Sequence, residues 1–250
     1  MDGGKLVIGR LALLAAVLLL WEALPRLGVV NSMLLPPLSD VLAALAHILG
    51  RAEVHQALGV TAAEVVVAFA IAVPLGAGLG VLSAENAYFG EIFKPMLFYV
   101  FSIPKSIFLP MFILVFGIGF PQKVAYATFS TLFIVIMSAS AAVESVKAEH
   151  LLVAHSYGAT RAQILRRVYL PSMLPILLEA LRISMIFNFT GVMIAEMYAS
   201  RVGIGRLIAD WGENFEMTKL LAGVILLAAA AMLFNEAIRL LEARCSTWRT

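Results

Sequence analysis

Six stretches of the chain are mainly apolar and long enough to cross a hydrocarbon layer, which takes roughly 20 residues. They cover about Leu6–Leu24, Thr61–Ser83, Met96–Ile118, Val124–Val143, Pro171–Tyr198 and Lys219–Leu241. Lipid offers no partner for an open backbone group, so each run is expected to be a helix. Lys5 and Arg10 precede the first apolar core, as in a signal peptide, but Trp21-Glu22-Ala23-Leu24-Pro25 provides no small-x-small cleavage site. The run is therefore read as a retained helix. Two shorter patterns predict amphipathic helices lying flat at the outer surface. In one, Ser39 or Asp40 caps a helix with apolar positions Val41, Leu42, Leu45, Ile48 and Leu49, ended by Gly50. In the other, Ile204, Leu207, Ile208 and Trp211 repeat between Gly203 and Gly212. Such helices either form a platform at the outer mouth or simply tether loops.

Composition agrees with this pattern. Hydrophobic residues make up 62% of the chain and charged residues 14%, against roughly 45–50% and roughly 25% in soluble domains. The fold class expected is an all-α polytopic membrane protein with about six transmembrane helices, forming one domain over 1–250. Within it, 1–58 holds the first span and an outer interfacial helix, and 59–242 holds the core. A net charge of +2 gives no case for nucleic acid, and Cys245, the single cysteine, cannot form a disulfide within the chain.

Basic residues set the orientation. With the N-terminus inside, Lys5, Arg10, Lys94, Lys147, Arg161, Arg166, Arg167, Arg239, Arg244 and Arg249 fall on the inner side, ten in all. The outer side holds six: Arg26, Arg51, Lys123, Arg201, Arg206 and Lys219. Both termini are expected in the cytoplasm.

The inner connection 144–170 is long for a loop between packed helices. It reads as two short helices bent at Gly158, with Thr160 capping the second and Leu170-Pro171 ending it at the next span. A cytoplasmic knob of this kind is a docking element.

Val153-Ala154-His155-Ser156-Tyr157-Gly158, then nine residues, then Val168-Tyr169-Leu170-Pro171 resembles the coupling (EAA) loop of ABC-transporter permeases. Leu152 stands where that family usually has Glu, and Val153 where it often has Ala. Ser102-Ile103-Pro104-Lys105 with Leu109-Pro110 and Phe116-Gly117-Ile118-Gly119 is similar to the nitrate, sulfonate, taurine and bicarbonate branch. So is Ala195-Glu196-Met197 with Gly203-Ile204-Gly205-Arg206-Leu207-Ile208. The resemblance covers about Gly59 to Glu242. It implies the type I importer transmembrane fold and a permease core in a bacterial inner membrane, with a second permease copy as partner. It further implies two ABC ATPases carrying ATP and magnesium, and a periplasmic or lipid-anchored substrate-binding protein. The ATPase contact would then fall on Ala154, His155, Ser156, Tyr157, Gly158, Ala159, Thr160, Arg161, Leu170 and Pro171. Arg161, Arg166 and Arg167 either touch the ATPase directly or set topology as inner-side charges, and the two roles are compatible. This chain has no nucleotide-binding loop of its own, because Gly3-Gly4-Lys5-Leu6 lacks the glycine spacing and the Ser/Thr for magnesium. No cofactor is therefore expected on it.

Ionisable groups inside a span cost on the order of 2.5–3.5 kcal/mol each, so each needs a reason to be there. Glu179 and Arg182, three apart on one helical face, are expected to pair. Glu64 and Glu196 fall near outer ends, within reach of water, where they support packing. Lys105 lies between Pro104 and Pro110 in a span those prolines should bend. It either faces a water-filled path suited to an anion, snorkels, or pairs with Glu64. Lys105, Pro104, Pro110 and Glu196 are the candidate pathway residues. Gly76 and Gly80 form a GxxxG step for close helix contact, and Ala228–Ala231 offers a similar small-residue face.

His47, His55, His150 and His155 form no His-Glu-x-x-His pair, and no Gly-x-Ser-x-Gly turn is present. No metal site or enzyme activity is expected. The alternative to an ATP-driven permease is an ion-driven secondary transporter. That class often has paired broken helices in internal repeats, whereas this chain shows one proline-broken span. The substrate stays open among sulfonates, nitrate, bicarbonate, aromatic acids and pyrimidine precursors.

Overall fold

The computed structural model describes residues 3–245, except for a few side chains near the two ends and that of Arg161. Among these residues every regular element is helical. In chain order they are α1 (Gly3–Arg26), α2 (Leu38–Leu49), α3 (Ala52–Glu85), α4 (Ala87–Ser102), α5 (Leu109–Phe116), α6 (Phe120–Glu144), α7 (Ala148–Ser156), α8 (Arg161–Ile164), α9 (Leu170–Ala199), α10 (Ile204–Glu213) and α11 (Met217–Cys245). Five helices are long and apolar enough to span a membrane, and α4 with α5 makes a sixth bent by 90°. The expected third span, Met96–Ile118, is thus a broken one that begins earlier, at Ala87. Ile103 is extended, as the residue before a proline prefers, and Lys105–Phe108 forms a single 3-10 turn. Pro110 causes no kink: it occupies the first turn of α5, where no intrahelical donor is lost.

α6 is the central helix, packed along its length between α3 and α9. Small residues allow this approach. A Cβ on Gly80 would sit 2.6 Å from both the Ala139 Cβ and the Ile136 carbonyl, and one on Gly76 would sit 2.7 Å from the Val135 Cβ. On α9, a Cβ at Gly191 would lie 3.0 Å from the Ala127 Cα. Asn188 Nδ2 donates to the Val65 carbonyl at 2.7 Å, tying α9 to α3 as well. α11 docks through Ala222 and Gly223 against Trp211 and Ile208 rather than through Ala228–Ala231, where Ala228 and Ala229 are exposed.

The two amphipathic helices exist, and each buries its apolar face against the bundle. α2 buries Val41 and Ile48 completely and packs on α11, and α10 buries Ile204, Ile208 and Trp211 against α9 and α11. No side chain of α2 caps its start. Instead the Ser39 amide donates to Glu22 of α1 at 2.9 Å, so a carboxylate from another helix occupies the positive end of the helix dipole. α1 itself is otherwise unburied along its apolar window.

Candidate functional site

The 144–170 connection folds as a knob of two short helices. α7 ends in a Schellman turn: the Gly158 amide donates to the His155 carbonyl at 2.9 Å and the Ala159 amide to the Ala154 carbonyl at 3.0 Å. Gly158 sits at φ +68, with open space where a Cβ would be, so the left-handed backbone, not crowding, requires glycine. Thr160 then opens α8 as expected, through a reciprocal capping box. The Thr160 amide donates to Gln163 Oε1 at 2.8 Å, and the Gln163 amide donates to the Thr160 hydroxyl at 3.4 Å. Gln163, three residues beyond Thr160, is the signal the sequence reading overlooked.

The second short helix does not end at Leu170-Pro171. A π-turn over Leu165–Tyr169 carries it into α9, so the helix runs unbroken from Ala162 to Ala199. The extra residue in the turn shifts the carbonyls that the Pro171 ring would otherwise strike, and the missing Pro171 donor falls where the ladder is already reset. Val168, Tyr169 and Leu151 pack with Met173, Val143 and Val146 at the end of the bundle where α6 finishes and α9 begins. Leu152 (71% exposed), Val153 and Tyr157 (87% exposed) leave an apolar face on the knob that no described residue covers. His155, Ser156, Gly158, Thr160 and Leu170 are also exposed, whereas Ala154, Ala159 and Pro171 are partly covered. Arg161 opens α8, and its side chain lies outside the described residues.

The broken span builds a second feature. Lys105 Nζ donates to the Phe101 carbonyl at 3.2 Å, the acceptor one turn earlier that the break leaves free, and lies 4.1 Å from the Phe101 ring centre. It lines a cavity together with Ser106, Tyr126, Ser130 and Thr190. Pro104 and Pro110 are exposed beside this bend. Lys105 therefore does not pair with Glu64.

The partner of Glu64 is Lys123, which the sequence reading treats only as an outer-side topology charge. Lys123, Glu64 and Glu196 are all buried, with exposures of 1%, 0% and 0%, so the two carboxylates are not within reach of water. Lys123 Nζ pairs with Glu64, lies 4.0 Å from Glu196, and donates to Ser200 Oγ at 3.0 Å and the Val202 carbonyl at 3.1 Å. Glu196 accepts from Thr61 Oγ1 at 2.6 Å and from the Gly205 amide at 2.7 Å, while Thr61 accepts from the Ile204 amide at 3.0 Å. A Cβ on Gly203, at φ +125, would collide with the Glu196 carboxylate, and one on Gly205 would lie 2.8 Å from the Glu196 Cβ. The cluster thus clamps the 200–205 loop to α3, α6 and α9. Glu196 is walled into this clamp and does not face the Lys105 cavity. A hint lies in the position of Lys123: a cation in the first turns of a helix opposes the dipole and calls for a carboxylate partner.

Residues 72–247 match the family of binding-protein-dependent transport system inner membrane components. The chain is 31% identical to the taurine transport system permease protein TauC of Escherichia coli, over 97% of this chain and 89% of that protein. It is 26% identical to a putative aliphatic sulfonates transport permease protein, SsuC, of Bacillus subtilis, over 96% and 87%. Against the nitrate import permease protein NrtB of Synechocystis the identity is 20%, over 72% and 65%. Among solved structures, a chain of the MetNI methionine ABC transporter superposes with a TM-score of 0.63 at 22% identity, over 77% of this chain and 94% of that one. That likeness is one of fold.

Proposed function

The chain belongs to the binding-protein-dependent transport system inner membrane components, and from that premise we propose that it is the permease subunit of an ATP-driven importer for a small anionic solute. The observation that carries the reading is the knob over 144–170: an exposed apolar face on α7, joined through a bend at Gly158 to a helix that continues into α9. An apolar patch facing water marks a protein contact, and a continuous helix transmits motion from that contact into the membrane.

In this mechanism two ATPase subunits dock on Leu152–Arg161, and ATP and magnesium stay with them. ATP-driven closure pulls the knobs, and α9 re-orients the path lined by Lys105. Two permease copies make that path, and both termini face the cytoplasm. A binding protein delivers the solute to the outer face, where Glu53, Arg201, Arg206 and Asp210 line a charged depression. The anionic class rests on Lys105 and on the printed substrates of the relatives: taurine, aliphatic sulfonates and nitrate all bear anionic oxygens.

Purification in mild detergent tests the proposal. An ATPase chain is expected to co-purify and to be lost when Leu152 and Tyr157 are both changed to Asp. Solute accumulation by the subunit alone in vesicles, driven only by an ion gradient, would overturn it in favour of a secondary transporter.

A further inference from the structure

Two side chains inside the spans hold a buried nitrogen with no hydrogen-bond partner among the described residues, Arg182 on α9 and Gln122 on α6. Arg182 is only half-buried, and it forms no ion pair with the exposed Glu179 three residues before it. Gln122 is completely buried, and its amide lacks a partner at both the nitrogen and the oxygen. A buried amide left unpaired is costly, and an apolar side chain of similar size would be the more stable choice at that position. A polar group kept against stability points to a contact that this conformation does not make.

The register of α6 gives the place of that contact. Residues 122, 126 and 130 follow at four-residue steps and share one face of the helix, each about 6 Å beyond the last. Tyr126 and Ser130 line the Lys105 cavity, a space of about 240 Å³. Gln122 continues their line one turn nearer the start of α6. Lys123, about 100° round the helix, is engaged by Glu64, Ser200 and Val202. The cavity itself suits an anion. No carboxylate lines it, Ser106 and Thr190 add hydroxyls to those of Tyr126 and Ser130, and the Lys105 ammonium meets only a carbonyl and aromatic rings.

We propose that Gln122 is a solute-contacting residue at the entry to this cavity, donating its amide N–H groups to the oxygens of an oxyanion on its way to Lys105. The inference rests on the importer reading above, in which the start of α6 faces outward, and adds the residue that passes the anion inward. A neutral amide suits an entry point. Its two N–H groups bind anionic oxygens, and without a positive charge it does not hold them, so the solute moves on to the ammonium.

The test follows entry chemically and does not depend on the natural solute. The whole transporter, with Cys245→Ser and Thr190→Cys in the permease, is placed in right-side-out vesicles loaded with ATP. Modification of the thiol at position 190 is timed with two reagents of similar size and opposite charge, the 2-sulfonatoethyl and 2-(trimethylammonio)ethyl methanethiosulfonates. Adding Gln122→Leu is expected to slow the sulfonate reagent about tenfold, the scale of one lost hydrogen bond to a charged group, and to leave the cationic reagent unchanged. The leucine variant is also expected to melt no lower than the parent, because an unpaired buried group is gone. An unchanged sulfonate rate overturns the proposal. So does a leucine variant that melts lower and slows both reagents equally, since that marks a packing role, and so does failure of the sulfonate reagent to reach position 190 when Gln122 is intact. If the ATPase still co-purifies in those cases, the importer reading stands and only the entry contact is wrong.

Discussion

Thr61 Oγ1 donates to Glu196 Oε1 at 2.6 Å across 135 residues of sequence, joining the N-terminal part of α3 to the C-terminal end of α9. The same hydroxyl accepts from the Ile204 amide, so one threonine fixes both a buried carboxylate and the loop that covers it. Lys123 supplies the balancing charge. Removing one partner of a buried pair leaves the other uncompensated, at a cost of about 3–5 kcal/mol. Lys123→Met is therefore expected to lower the melting temperature sharply in detergent, and adding Glu64→Gln should restore part of the loss. A Lys123→Met protein that melts like the parent would show that the cluster does not hold the loop.

Gly158 is expected to respond to backbone strain before bulk. Gly158→Ala puts a side chain into a left-handed conformation at about 1–2 kcal/mol, with free space around it, so transport should fall modestly. Gly158→Trp should leave the protein inserted while uncoupling uptake from ATP hydrolysis. The two rates measured together in proteoliposomes distinguish uncoupling from loss of assembly, and normal uptake by the tryptophan variant would refute the coupling role.

Lys105 faces its cavity with a charge held by a carbonyl and an aromatic ring, not by a carboxylate. Lys105→Met is expected to reduce anion uptake about tenfold, equivalent to about 1.4 kcal/mol, and Lys105→Arg to preserve most of it. Initial uptake rates at several solute concentrations decide the matter. Unchanged rates in the methionine variant would remove Lys105 from the path.

Gly80→Leu should separate α3 from α6, because even the Cβ would overlap the Ile136 carbonyl and Ala139. Overpacking typically costs about 1–3 kcal/mol, and here the obstacle is backbone that cannot rotate away. Gly78→Leu, two residues along with nothing near its Cβ, is the matched control. Limited proteolysis in membranes should show the first variant cut rapidly and the second resistant.

Much of the molecule was readable from local pattern alone. The long apolar runs, the GxxxG step, the helix-breaking Pro104 and the glycine-bent knob with Thr160 at its second start all rest on spacing within a few residues. Lipid makes such spacing decisive, since a run that long has no alternative to a helix. Tertiary structure decided what depends on residues far apart. It paired Glu64 with Lys123 rather than Lys105, left Glu179 and Arg182 apart, carried α8 through a π-turn into α9, and drew α2 and α10 into the core. In each case the outcome turns on which helix faces which, and at what depth. Sequence periodicity specifies a face, whereas only packing supplies the neighbour that the face meets.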